Sequence, residues 1–112
     1  MFVAWTTVAS RSEAERLAEG AVTQRLAACA QVEGPLTSFY HWEGKLERAE
    51  EYRVWFKYVP DNASALSIWV HNHHPYATPQ WVEIAAENVS EKYLSWVLAN
   101  STPAPFPESK ST

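Results

Sequence analysis

Cysteine occurs once, at Cys29, and aspartate once, at Asp61, in a chain of 112 residues. A single thiol closes no intramolecular disulfide and builds no cysteine-rich zinc site, so a reducing compartment, and with it a cytoplasmic location, is expected. Only three glycines are present, and none belongs to a phosphate-cradling or dinucleotide-binding loop; a nucleophile elbow and an HExxH zinc pattern are also missing. No apolar run is long enough to span a bilayer, which argues against membrane insertion. The start has four apolar residues in a row after Met1 and no basic region, so no signal peptide is expected. Positive charge is scarce as well: nine Lys and Arg against thirteen Asp and Glu leave a formal charge of −4, which disfavours a general nucleic-acid binder.

Aromatic side chains are abundant by contrast, with six Trp, five Tyr and four Phe. One domain of this size has little interior for so many rings, and part of them is expected to lie in a contact between chains. The domain is placed at residues 1–100. Residues 101–112 hold Pro103, Pro105 and Pro107 among serines, a tail whose composition cannot build a core.

Periodicity gives the order of elements. Phe2–Val8 is an apolar, β-branched run, and Ser10 with Glu13 forms a capping box for a helix. Ala14, Leu17, Ala18, Ala21, Val22, Leu26 and Cys29 recur at helical spacing, which carries that helix to Cys29, with Gly20 permitting close packing. Gly34-Pro35 interrupts the next extended segment, Leu36–Trp42 is a strand, and Glu43-Gly44-Lys45 is a tight turn. Alternation over 50–59 places Tyr52, Val54, Phe56 and Tyr58 on one face and Arg53, Trp55 and Lys57 on the other. Pro60-Asp61-Asn62 ends this strand and caps a second helix, with Leu66, Trp69, Val70 and His73 as its apolar face. Pro75 stops it, residues 81–86 form a fourth strand, and Ser90 caps a final helix carrying Tyr93, Leu94, Trp96 and Val97. The order β-α-β-β-α-β plus a helix is the ferredoxin-like α+β pattern, two helices on one face of an antiparallel sheet. The other sheet face then needs a cover, which self-association would supply.

Three groups of residues can carry chemistry. His71, His73 and His74 sit at the end of the second helix; imidazole suits copper, zinc or nickel, and the thiol of Cys29 adds a soft ligand. Helix capping and packing use the same histidines, and Cys29 serves equally as buried filler. Glu43, Glu47, Glu50 and Glu51 surround the central turn beside His41 and Lys45, a carboxylate pocket or a solvated face. Tyr40, Trp42, Trp55, Lys57, Tyr76 and Trp81 line either an intersubunit cleft for a small anionic or aromatic ligand or an assembly core.

The segments LAAC at 26–29, YxWEGK at 40–45, HPYxxP at 74–79 and YLxW at 93–96 together resemble the CutA divalent-cation tolerance family, from about Val3 to Val97. The resemblance implies a PII-like homotrimer of ferredoxin-like subunits that is not an enzyme and requires no cofactor. It implies binding of copper or another divalent ion, with a protein partner still to be identified. Metal binding in the family maps onto Cys29 and His74, which His73 and His71 extend. The intersubunit cleft maps onto Tyr40, Trp42, Glu43, Lys57, Tyr76 and Trp96. The alternative implied by the PII-like architecture is a small-metabolite sensor acting through that cleft. Three positions depart from the family pattern: Gln80 stands where a glutamate is common, which removes a charged oxygen ligand, Gln31 stands where asparagine is frequent, and Trp81 replaces an aliphatic residue, which would fill the cleft.

Overall fold

The computed structural model describes residues 1–101, so all of the proline-rich tail except Ser101 lies outside the described residues. The chain opens with strand β1 (Phe2–Val8) and helix α1 (Arg11–Thr23). Ser10 accepts from the Glu13 amide at 3.2 Å and its hydroxyl donates to the Glu13 carboxylate, the cap that the sequence indicates. The helix ends earlier than its apolar spacing suggests. Arg25 adopts φ 60°, the Leu26 amide donates to the Ala21 carbonyl and the Arg25 amide to that of Val22. This is a Schellman closure with arginine in the left-handed position usually held by glycine.

Cys29 therefore starts strand β2 (Cys29–Trp42) instead of ending a helix. Strand β3 (Lys45–Tyr58) follows through the two-residue turn Glu43-Gly44, with φ of 51° and 80°. Positive φ at both central residues is the hairpin turn whose twist matches the flanking strands, and Gly44 makes it cheap. The strands are longer than expected, 14 residues each. Their register shifts between Glu33 and Leu36, around Gly34-Pro35.

After a 3-10 turn (Pro60–Asn62) come helix α2 (Ala63–His73), strand β4 (Val82–Ala85) and helix α3 (Glu91–Ala99). Asn62 occupies the N-cap of α2, but its side chain leaves the cap unbonded. Instead its amide donates to the carbonyls of Arg25, Leu26 and Ser101 and pins three chain segments together. Ser90 likewise stands at the N-cap of α3 without a side-chain bond.

The sheet order is β2-β3-β1-β4, with each neighbouring pair antiparallel, the ferredoxin-like α+β arrangement. Ala4 and Val8 of β1 and Val54, Phe56 and Tyr58 of β3 form the core with Leu17 of α1 and Leu66 and Val70 of α2. Burying Leu17 or Phe56 contributes roughly 2 kcal/mol each by area removed from water. Gly20 lets the two helices meet: a Cβ there would stand 2.6 Å from the ring of Trp69.

β1 pairs only with residues 52–58 of β3. Lys45–Glu51 therefore pair with β2 alone, as a two-stranded arm projecting from the sheet. On it Phe39, Trp42 and Leu46 are 64%, 57% and 69% exposed.

Candidate functional site

Histidine chemistry begins at the end of α2. The ring Nδ1 of His71 lies 2.7 Å from the Ser67 carbonyl and that of His73 2.8 Å from the Trp69 carbonyl. A carbonyl only accepts, so each Nδ1 carries the proton and each Nε2 keeps a free lone pair on an exposed side chain. His73 stacks on Trp69 at 4.4 Å, and His71 meets the edge of Trp81 at 6.1 Å. Two residues apart on a helix, the rings point to opposite sides and do not converge.

His74 behaves differently. It is 9% exposed, and its Nδ1 accepts from the Tyr76 amide at 3.1 Å. The proton is thus on Nε2, which donates to the Thr7 carbonyl at 3.1 Å and lies 2.9 Å from the Thr6 hydroxyl. Both nitrogens are engaged in holding the segment after α2 against β1. Burial pushes the imidazole pKa down; the Thr7 bond opposes this, the charge of His71 adds to it, and Glu13 and Glu51 oppose it.

Cys29 is half-buried and pairs with Lys57. Lys57 is opposite Val3, whereas His74 rests on Thr6 and Thr7. Three to four residues along the strands, roughly 10–14 Å, and two strand spacings across the sheet, roughly 10 Å, separate Cys29 from the backbone that His74 contacts. Among the described residues no group of three or more His, Cys, Asp or Glu side chains is placed to hold a metal ion. Within one chain, then, His71, His73, His74 and Cys29 are not brought together.

The cleft residues fall into two places. At the α3 end, the Lys57 ammonium lies 5.6 Å over the Tyr93 ring, and Tyr93 stacks on Trp96 at 5.8 Å. At the arm end, Tyr40, Trp42 and Tyr76 border a hollow of about 840 Å³ on the sheet face away from α1 and α2, together with Trp5, Glu47 and Glu51. Register explains its floor: Tyr40 is opposite Glu47, Ser38 opposite Ala49 and Leu36 opposite Glu51, and directly opposed residues share a face. The loop through Tyr76, Ala77, Thr78 and Gln80 makes its wall. Glu43 is in the hairpin turn beyond it.

The Tyr76 hydroxyl donates to Glu51 Oε2 at 3.0 Å, and burial with this bond pushes the phenol pKa well up. Trp81 packs on Phe56 at 5.8 Å on the core side, so it does not fill the hollow. Trp55 packs on Trp5 at 5.0 Å beneath the Arg53 guanidinium, which covers a ring whose face otherwise carries charge. The carboxylate group is split by the register: Glu47 and Glu51 face the hollow, while Glu50 pairs with Thr37 and shares the opposite face with His41. Sequence reasoning did not single out Trp5, Ser38, Thr6 or Thr7 as site residues, because only strand pairing shows what they stand beside.

The topology defines a ferredoxin-like α+β domain with a projecting arm, two exposed imidazoles and an aromatic hollow. Residues 2–100 match the family profile described as CutA1 divalent ion tolerance protein, and the chain belongs to that family. It is 36% identical over 94 residues to a divalent-cation tolerance protein CutA of Yersinia pestis, covering 84% of this chain and 79% of that one. The CutA structure from Synechococcus elongatus PCC7942 superposes with a TM-score of 0.87 at 33% identity, covering 90% of this chain and 89% of that chain. CutA1 from Pyrococcus horikoshii does so at 0.87 and 29% identity, covering 91% and 99%. Among the described residues no helix is long and apolar enough to cross a membrane.

Proposed function

We propose that this chain acts as a non-enzymatic homotrimer that binds copper or another divalent ion between its copies. Membership of a divalent-ion tolerance family supports a role in metal tolerance. The observation that carries the binding reading is the pair of exposed Nε2 atoms on His71 and His73, whose Nδ1 protons are committed to helix carbonyls. Imidazole nitrogen suits copper and zinc, and two diverging rings need ligands from another copy to complete a coordination shell. The thiol of Cys29 is a further soft ligand, suited to the reducing cytoplasm. His74 enters as a ligand only by giving up its bond to Tyr76. The arm supports assembly, since a two-stranded hairpin with exposed Phe39, Trp42 and Leu46 is marginal alone and is stabilised by another copy.

Titration of metal-free protein with Cu(I), Cu²⁺ and Zn²⁺ against a weak chelator tests this. Saturable binding at one ion per subunit, weakened in H71A and H73A, is expected. Equal loading of the double variant would refute the histidine site. A second reading is favoured by the hollow beside Tyr40, Trp42 and Tyr76, whose volume is that of a small-molecule pocket: the cleft takes a metabolite.

A further inference from the structure

We infer that the chain's own C-terminal segment, residues 102–112, docks in the groove between α1 and β2, with Phe106 as its anchor. The groove holds about 370 Å³ and is lined by Ala18, Val22, Ala30 and Val32, with the exposed Glu15 and Glu19 on its rim. Ala30 and Val32 are opposite Phe56 and Val54 of the core, and opposed residues share a face, so the groove opens on the helix side of the sheet. It lies away from the sheet face and the arm through which copies are proposed to meet. Val22 is 38% exposed there, although Leu17 and Ala21 of the same helix are buried. β2 is the outermost strand, so among the described residues nothing pairs with its outer backbone edge along residues 29–33.

The place where the chain leaves the described residues identifies the occupant. The Asn62 amide holds the Ser101 carbonyl at 3.0 Å together with those of Arg25 and Leu26, and the Arg25 amide donates to Val22. Ser101 therefore stands beside the closure of α1, where the groove begins. From Val22 back to Glu15 the groove follows about 10 Å of helix. Phe106, the one aromatic residue of 102–112, is five residues past Ser101, a reach of roughly 16 Å in extended form. Tethering at Ser101 gives the segment an effective concentration on the order of millimolar, which a strand from elsewhere must overcome.

Proline spacing fits a strand laid on this edge. Pro103, Pro105 and Pro107 alternate, and alternate residues of a strand point their backbone polar groups to the same side. Ala104, Phe106 and Glu108 keep their N–H donors and turn them toward β2, while the outer side lacks donors and resists further strand addition. Proline also drives the residue before it to extended backbone, which lowers the cost of ordering the segment. Residues 102–112 lie beyond the family match, which ends at residue 100, so this edge cover is a property of this chain.

The test uses the full chain with Phe106 replaced by the photoreactive benzoyl-phenylalanine, its oligomeric state recorded in the same sample. After irradiation, links are mapped by mass spectrometry, and the denatured mass shows whether one chain or two are joined. Links to residues 15–22 or 29–33 at the mass of one chain are expected. Val22→Glu, which places a charge in the groove at an exposed position, should cut their yield about tenfold, while Ile68→Glu, exposed on α2, leaves it unchanged. Hydrogen exchange gives a second readout without the probe: the outward-facing amides of residues 29–33 should exchange about tenfold faster in Phe106→Asp than in the native chain. Links at the mass of two chains would assign the groove to a neighbouring copy and overturn docking by the chain's own segment. Links elsewhere, no links, or equal exchange in Phe106→Asp and the native chain would overturn it as well.

Discussion

The Tyr76 hydroxyl donates to the Glu51 carboxylate at 3.0 Å, so the loop that follows α2 is tied to the strand where the arm begins. A hydrogen bond to a charged acceptor contributes more than a neutral one. Tyr76→Phe is expected to cost about 1 kcal/mol in urea unfolding, the half-exposed setting holding the figure at the low end. Combining it with Glu51→Ala should cost less than the sum of the two single changes, because both remove the same bond. Full additivity would show that the two groups are uncoupled.

His74 gives stability a pH dependence. Burial lowers its pKa in the folded state, whereas the unfolded chain titrates at the ordinary imidazole value of about 6.5. Below that pH the unfolded state takes up a proton that the folded state resists, so stability is full above about 6.5 and falls as pH drops toward the folded pKa. The geometry gives the cause: a proton on Nδ1 would face the Tyr76 amide hydrogen. Denaturant midpoints measured from pH 7.5 down to 5.5 should fall in the native chain and fall less in His74→Gln. Identical slopes in the two proteins would remove His74 as the source.

Gly20 and Trp69 set the spacing of the helices. Alanine is ordinarily the better helix former by about 1 kcal/mol, yet its Cβ at position 20 would meet the Trp69 ring at 2.6 Å. Gly20→Ala is therefore expected to destabilise by about 1–2 kcal/mol net, and Trp69→Leu in the same chain should recover part of the loss. A stabilised single variant in thermal unfolding would contradict the contact.

Arg25 is held at φ 60° in the position that ends α1. Glycine carries no steric penalty there, so Arg25→Gly should stabilise by about 0.5–1 kcal/mol, raising Tm by a few degrees. A lower Tm would mean that the arginine side chain contributes more than its backbone costs.

Much of this architecture was legible because its signals are local. Ser10 and Glu13 announced a helix start, the alternation from Tyr52 to Tyr58 announced a strand with one buried face, and Glu43-Gly44 announced a turn. The end of α1 was not legible: apolar spacing continued through Leu26 to Cys29, while the closure depends on Arg25 adopting a conformation that arginine rarely takes. The beginning of β3 at Lys45 was hidden for another reason. Residues 45–51 are mostly charged and wet, so no buried face imprinted a period of two. The histidines were visible as residue types but not as geometry. Only the fold shows that the Nδ1 atoms of His71 and His73 are bonded back to their own helix while His74 is occupied at both nitrogens. The hollow depends on Ser38 meeting Ala49 across two strands, a register that neither segment encodes alone.

In the proposed trimer the arm carries the contact between copies, because Phe39, Trp42 and Leu46 are left exposed on two strands that β1 does not reach. The most direct measurement is native mass spectrometry of the metal-free chain, checked by sizing with light scattering at the same concentrations. A species of three copies that persists on dilution is the expected result; a single copy at every concentration would contradict the trimer and, with it, a metal site completed between copies.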